Sequence, residues 1–364
     1  MDVKLTSGNI YAELPRLFKT GADVAVATII SSRGSTPQIA GSTALFTKDG
    51  LIAGTVGGGA VELSIQQKYV TDLEAGVSSL NQFNLANEIS DDSDAICGGE
   101  MEVLLDHAPH KHAGIFEVML ASYHGRIPGL LLTIVQGIKS NRIDITRKWL
   151  TLQSIREGTD TADVAWADHA AEMLRSPRHG ECRKIPLTAA QEQNIHFAFL
   201  QTVVPCSKLL IAGAGHVGKA LSHLGKLLEF EVSIWDDRSD YATPENLPDA
   251  DHILSGSIAE TLAGIIPDRN TYIVIVTPGH KNDAEVLKTF IHSDAGYIGM
   301  IGSRKKTGLM RQKFLDSGWA TPEEWDRIHS PIGLEINSKT VQEIAVSIAA
   351  QLVMERHRIN QGHG

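Results

Sequence analysis

The stretch Gly213-Ala214-Gly215-His216-Val217-Gly218 constrains this chain more than any other. It follows the apolar run Leu209–Ala212, opens a helical pattern, and is followed by Asp236 at the end of the next apolar run. Glycines at this spacing between a strand and a helix, with an acid about 20 residues on, predict a Rossmann-type nucleotide-binding unit. In such a unit Gly213 makes the tight turn, Gly215 lets the backbone approach a pyrophosphate, and Gly218 lets helix and strand pack closely. The helix N-terminus then presents unpaired N–H groups to phosphates, and His216 could reach a phosphate or metal there or serve only in capping or packing. Asp236 or Asp237 would accept from a ribose hydroxyl, which favours NAD(H)-like ligands, although Arg238 stands beside them. A Rossmann unit that keeps its glycines only for packing fits the same residues.

The rest of the C-terminal half agrees. Apolar runs at Val232–Trp235, Tyr272–Val276 and Tyr297–Ile301 alternate with helical segments, as a parallel sheet with crossover helices requires. Thr340 and Glu343 have capping-box spacing ahead of a final amphipathic helix. The expectation is an α/β protein, with an N-terminal α+β domain over 1–206 and a Rossmann-type parallel-sheet domain over 207–364. Residues from about 107 to 206 complete the first domain and link to the second, with a helix expected over Ile115–Tyr123, a strand over Gly129–Gln136 and a mixed, polar region over 151–206.

The N-terminal half predicts a short helix near 9–20, a buried strand over Val24–Ser32, and a hairpin turning at Lys48-Asp49-Gly50. A helix after Gly59 carries Val61, Ile65, Tyr69 and Leu73 on one face. Gly54-Thr55-Val56-Gly57-Gly58-Gly59 lies between strand and helix, where successive glycines mark an unusual bend or a close ligand. Arg33, Ser35 and Thr36 could serve the same anion if their loop meets this one. Gly302-Ser303-Arg304-Lys305-Lys306 opens another helix and reads as an anion site or as a solvated basic turn. His280 and Asp283 follow a parallel strand, where Rossmann ligands touch the domain. Cys97, between acidic residues and two glycines, is either a metal or sulfur ligand or a structural thiol. His107, His110 and His112 beside Asp106 read as a surface loop.

Composition narrows the function classes. A formal net charge of −10 argues against nucleic-acid binding. Three widely spaced cysteines with no CxxC pair argue against a disulfide framework or a structural zinc site and favour a reducing compartment. No signal-peptide pattern is visible, and no apolar run approaches the roughly 18 residues of a membrane span, so the expected location is cytoplasmic. No serine elbow, zinc-protease motif or kinase set appears, so an identifiable catalytic machine is missing.

Taken together, these blocks resemble the xanthine dehydrogenase accessory protein family of the XdhC/CoxI type. The resemblance rests on Arg33-Gly34-Ser35-Thr36-Pro37, Gly54–Gly59 with Val61-Glu62, and Cys97-Gly98-Gly99-Glu100 in the first half. In the second half it rests on Gly213–Gly218, Asp236-Asp237-Arg238, Gly302–Lys306 and Pro331-Ile332-Gly333-Leu334. Departures stand at Gln38, Ala60, Asn337 and Gln351. The resemblance implies a chaperone for the molybdenum cofactor (molybdopterin) that assists its sulfuration and its insertion into a xanthine dehydrogenase-type molybdoenzyme. A cysteine desulfurase and a second copy of the chain are the further partners it implies. Cys97 is the thiol such a role would leave available. An NAD(P)-dependent oxidoreductase using the Rossmann half is the alternative, with NAD(H) or another nucleotide as ligand.

Overall fold

The computed structural model describes residues 10–72, 76–85, 98–139, 142–157, 165–187 and 195–360. Contacts divide the chain into two compact units, Met1–Pro205 and Cys206–Gly364.

The first unit runs through α1 (Leu14–Lys19), β1 (Ala25–Arg33), β2 (Thr43–Thr47), β3 (Gly50–Gly54), α2 (Gly59–Asp72), β4 (Ser79–Asn84) and β5 (Glu100–Asp106). It continues with α3 (Ala113–His124), β6 (Gly129–Lys139), β7 (Arg142–Leu150), α4 (Leu152–Arg156), α5 (Ala167–Arg175), β8 (Cys182–Pro186) and β9 (Ile195–Val203). One five-stranded antiparallel sheet has the order β3-β2-β1-β5-β4, and a second sheet has the order β7-β6-β9-β8. Alternation along β1 decides what each face covers. Ala25, Ala27 and Ile29 pack with Val61, Ile65 and Tyr69 of α2, while Leu73 lies outside the described residues. Ile30 instead joins Leu80, Leu104, Val135, Phe197 and Phe199, so the two sheets share an apolar layer. The outer face of the second sheet packs Leu130, Leu132 and Leu200 against Ala170, Met173 and Leu174 of α5. The expected helix and strand form as α3 and β6, and the mixed, polar stretch after them supplies α5, β8 and β9 to a sheet with its own core. β8, with Arg183, Lys184 and Pro186, is its edge strand, where proline and charge are tolerated.

A bulge in β1 redirects the end of that strand. Ile29 pairs with Val103 but Ser31 pairs with Glu102, so Ile30 is the extra residue. An extra residue shifts the alternation and re-aims the side chains beyond it. Ser31 and Arg33 thereby share a face with Glu102 and Glu100.

The second unit contains β10 (Lys208–Ala212), α6 (His216–Leu227), β11 (Glu231–Asp236), β12 (His252–Ser255), α7 (Ile258–Thr261), β13 (Thr271–Ile275) and α8 (His280–Phe290). β14 (Tyr297–Met300), α9 (Arg304–Asp316), α10 (Pro322–Asp326), β15 (Ile328–His329) and α11 (Val341–Asn360) complete it. The sheet is parallel, in the order β12-β11-β10-β13-β14-β15. That order reverses direction between β10 and β13, the point at which open α/β sheets form a ligand crevice. Leu210, Ala212, Ile273 and Ile275 face α8 and α9. Leu209, Ile211, Tyr272 and Val274 face α6 and α11 through Leu221, Ile348 and Leu352. Every residue of β13 is buried, which is why such a strand reads as an unbroken apolar run. The Thr340–Glu343 capping box forms as expected, with reciprocal bonds of 2.9 and 3.3 Å. Among the described residues no helix is long and apolar enough to cross a membrane.

Candidate functional site

In the first unit the loops singled out in the sequence meet. A Cβ on Gly99 would lie 2.5 Å from the Ser35 carbonyl and 2.7 Å from that of Arg33. A Cβ on Gly34 would lie 3.2 Å from the Gly99 Cα, and one on Gly57 would lie 2.9 Å from the Pro37 ring. The Arg33–Pro37 loop, the Gly57 loop and Gly98-Gly99 thus share one end of the five-stranded sheet. Cys97 itself lies outside the described residues. Ser35 is exposed, and the Thr36 hydroxyl donates to the Gln38 carbonyl at 2.8 Å.

The glycine loop is built for an anion, but the anion it holds is internal. The Thr55 hydroxyl and the N–H groups of Val56 and Gly58 converge on one oxygen of Glu62, at 2.6, 3.1 and 3.0 Å. Gly57, Gly58 and Gly59 adopt φ of 123°, 69° and 49°, which aims successive N–H groups inward. Of the two readings of these glycines, the unusual bend forms, and it turns N–H groups toward the loop's own acceptors. Val56 and Gly58 serve Glu62 and Gly57 serves Thr55, whereas Gly59 has no such side-chain partner and open space around it.

Beside this loop cluster lies a cavity of about 590 Å³ lined by Arg33, Gln82, Asn84, Glu100, Glu102 and Lys184, among others. Lys184 pairs with Glu102 and sits 4.4 Å over the Phe197 ring. Arg33 forms no ion pair among the described residues. The bulge that turns it toward this cavity has no signature in the sequence.

In the second unit the fingerprint glycines divide by role. A Cβ on Gly213 would lie 2.6 Å from the Val276 carbonyl, and one on Gly218 only 1.8 Å from that of Gly213. Both are packing positions. Gly215 faces open space, and His216 is exposed on the first turn of α6. Asp236 does not stand ready for a ribose. It is 1% exposed, and its oxygens accept from the Ala214 N–H (2.7 Å), the Arg238 N–H (3.0 Å) and the Arg238 guanidinium (2.9 and 3.0 Å). A carboxylate has about four acceptor positions, and all are taken. Burial pushes this carboxyl up, but the bonds from Arg238 and Ala214 outweigh it and hold it below the usual range. Asp237 is the exposed acid of the pair, and it accepts from the Asn282 side chain at 2.9 Å.

His280, Ser303 and Lys305 come together with Lys281, Lys306 and Lys313 around a groove between α8 and α9. Arg304 turns away to pair with Glu335 at 3.0 Å. Asp283 is fully buried, accepting from the Thr277 hydroxyl at 2.5 Å and from Lys306 Nζ at 2.7 Å. Of the His107–His112 stretch, expected as a surface loop, His110 is exposed and His112 half-buried, but His107 departs from the expectation. His107 is buried against the Tyr69 ring at 5.1 Å, and Asp106 forms a buried ion pair with Arg147. No group of three or more metal-ligating side chains occurs among the described residues.

Two family models match the chain. The model described as the XdhC Rossmann domain matches residues 209–352, and that of the XdhC and CoxI family matches residues 17–84. The chain belongs to the XdhC and CoxI family. Among curated relatives, a probable xanthine dehydrogenase subunit of Bacillus subtilis is 25% identical, over 97% of this chain and 99% of that protein. An uncharacterized Escherichia coli protein, YqeB, is 24% identical over 97% of this chain, which spans only 47% of it. A crystal structure of a xanthine dehydrogenase from Bacillus halodurans shares the fold with a TM-score of 0.70 and 22% identity, covering 95% of this chain and 96% of that one.

Within this XdhC-type chain, Gln351 and Glu62 also gain a physical meaning. Gln351 accepts from the Gly333 N–H and from the Tyr297 hydroxyl, both at 2.7 Å, so it anchors the Pro331–Leu334 block to α11 and β14. Glu62 holds its own glycine loop together, a role for which the sequence carries no local signal.

Proposed function

We propose that this chain is an accessory protein for a xanthine dehydrogenase-type molybdoenzyme, holding the molybdenum cofactor on its N-terminal unit before transfer. Family membership and the name of the Bacillus subtilis relative support the accessory role. The observation that carries the cofactor reading is the convergence of the Arg33–Pro37 loop on Gly57 and Gly98-Gly99.

The residues present fit a phosphate-bearing pterin. Arg33, without an ion-pair partner among the described residues, and the exposed Ser35 supply a cation and a hydroxyl for the phosphate. Glu100, Gln82 and Asn84 line the adjoining cavity and offer acceptors and donors to the ring edge. When bound, the pterin brings the dithiolene that carries molybdenum. The protein's part is to bind and orient it and to keep bulk water from its polar edge. Exchange with a cysteine desulfurase and a dimeric state in the cytoplasm complete the proposal.

Anaerobic purification with molybdopterin tests it. The expected result is stoichiometric pterin, released on denaturation and detected by its oxidised fluorescence, together with activation of an apo-molybdoenzyme. Absence of bound pterin would sink the proposal.

One observation favours a second reading, NAD(H)-dependent oxidation by the Rossmann unit: the strand order reverses at the glycine fingerprint. Saturable NADH binding with turnover of a carbonyl or hydroxyl substrate is its signature. The engagement of Asp236 by Ala214 and Arg238 weighs against it.

A further inference from the structure

The groove between α8 and α9 is a built site that the cofactor reading leaves unused. Its volume is about 630 Å³, within the range of small-molecule pockets. Ala284, Leu309 and Met310 give it an apolar wall, and Leu309 is 67% exposed. Lys281, Lys305, Lys306 and Lys313 surround that wall, with Glu285 as the opposing charge. In a chain with a net charge of −10 this is a marked local reversal.

One of these cations is held in place from beneath. Asp283 has 0% side-chain exposure and fixes the Lys306 ammonium at 2.7 Å, while Lys306 keeps 20% exposure toward the groove. An ammonium has three donors, so two remain after Asp283 has taken one. Lys281 and Lys305 form no ion pair among the described residues. The α8 N-terminus adds further donors, because Gly279 provides no side-chain cap.

We infer that this groove binds a phosphate monoester of a flat heterocycle or aromatic ring, with the phosphate among Lys281, Lys305 and Lys306 and the ring against Leu309 and Met310. Gly215 is not among the residues lining the groove, and the inference does not rest on the cofactor reading of the N-terminal unit. A purely ionic patch would lack the apolar wall, and a purely apolar groove would lack the fixed ammonium.

Calorimetry on the full chain tests this with adenosine 5′-monophosphate as probe and inorganic phosphate and adenosine as controls. The monophosphate should bind at least about tenfold more tightly than either control. Lys281→Glu with Lys305→Glu should weaken it by about tenfold or more, while Ile266→Ser, at an exposed position outside the groove, should leave it unchanged. Leu309→Asp, at an exposed position that folding tolerates, should weaken the monophosphate but not inorganic phosphate. No saturable binding, equal affinity for inorganic phosphate, or loss in Ile266→Ser rather than in the lysine variant would each overturn the assignment.

Discussion

The Asp236 carboxylate accepts the backbone N–H of Ala214 at 2.7 Å, tying the end of β11 to the middle of the glycine fingerprint. An acid expected to read a ligand instead holds the loop that would receive one. Replacing it with asparagine removes the charge facing Arg238 and turns one acceptor into a donor. The expected cost at pH 7 is about 3 kcal/mol, read as a lowered midpoint in urea. The folded carboxyl is held below its ordinary range, so its stabilisation is present above the unfolded value near ~3.9 and is lost as pH falls through the folded value. Asp236→Asn should therefore flatten the acid limb of the stability profile. An unchanged acid limb would show that the carboxylate contributes nothing of this kind.

Two positions of the fingerprint should separate folding from binding. Gly218→Ala places a methyl 1.8 Å from the Gly213 carbonyl, a backbone clash that no rotamer relieves. It should cost about 3 kcal/mol. Gly215→Ala meets open space at an ordinary φ of −72° and should cost about 1 kcal/mol. If a nucleotide occupies this crevice, Gly215→Ala should abolish its binding while lowering the melting temperature by only about 2–4 °C. Equal destabilisation by both substitutions would refute the division of roles.

Glu62 fills the anion nest of its own loop. Glu62→Ala should lower stability by about 1–2 kcal/mol, since a hydroxyl and two N–H groups lose their acceptor. The vacated donors should then respond to added phosphate or sulfate. Thermal melts of the variant should rise with millimolar sulfate more than those of the wild type, and Glu62→Gln, which keeps an oxygen acceptor, should fall between them. Identical sulfate responses would mean that the nest collapses once empty.

These residues show where sequence reading succeeds and where it stops. The Rossmann unit is legible because buried parallel strands are continuous apolar runs, as in β13, and because fingerprint spacing is local. The β2–β3 hairpin is legible for the same reason, since Asp49-Gly50 carries its turn chemistry within two residues. The sheet β7-β6-β9-β8 is not, because its pairings join distant segments and β7 interleaves Arg142, Asp144 and Arg147 with its apolar positions. The meeting of the Arg33 loop with Gly57 and Gly99 depends on tertiary contacts, and the face on which Arg33 lies depends on one extra residue at Ile30. Asp236 and Glu62 share a further obstacle. An acid beside a glycine loop looks the same in sequence whether it reads a ligand or satisfies the loop's own N–H groups.

Cys182 provides a last test, bearing on which thiol could serve sulfur chemistry. It lies at the start of the edge strand β8, and a Cβ on Gly41 would be 3.6 Å from its sulfur. Burial, reinforced by the nearby Glu181 charge, pushes its thiol up to about 11. Only the thiolate is nucleophilic, so at pH 8 about one molecule in a thousand carries the reactive form. Treatment of the folded protein with iodoacetamide at pH 8, followed by peptide mass spectrometry, should leave Cys182 unmodified. Brief denaturation should expose it and restore ordinary reactivity. Raising the pH toward 11 in the folded state should increase labelling about tenfold per pH unit until the thiol is half ionised. Rapid modification of Cys182 at neutral pH would show that the strand edge opens, and would return this thiol to the set of candidate sulfur ligands beside Cys97.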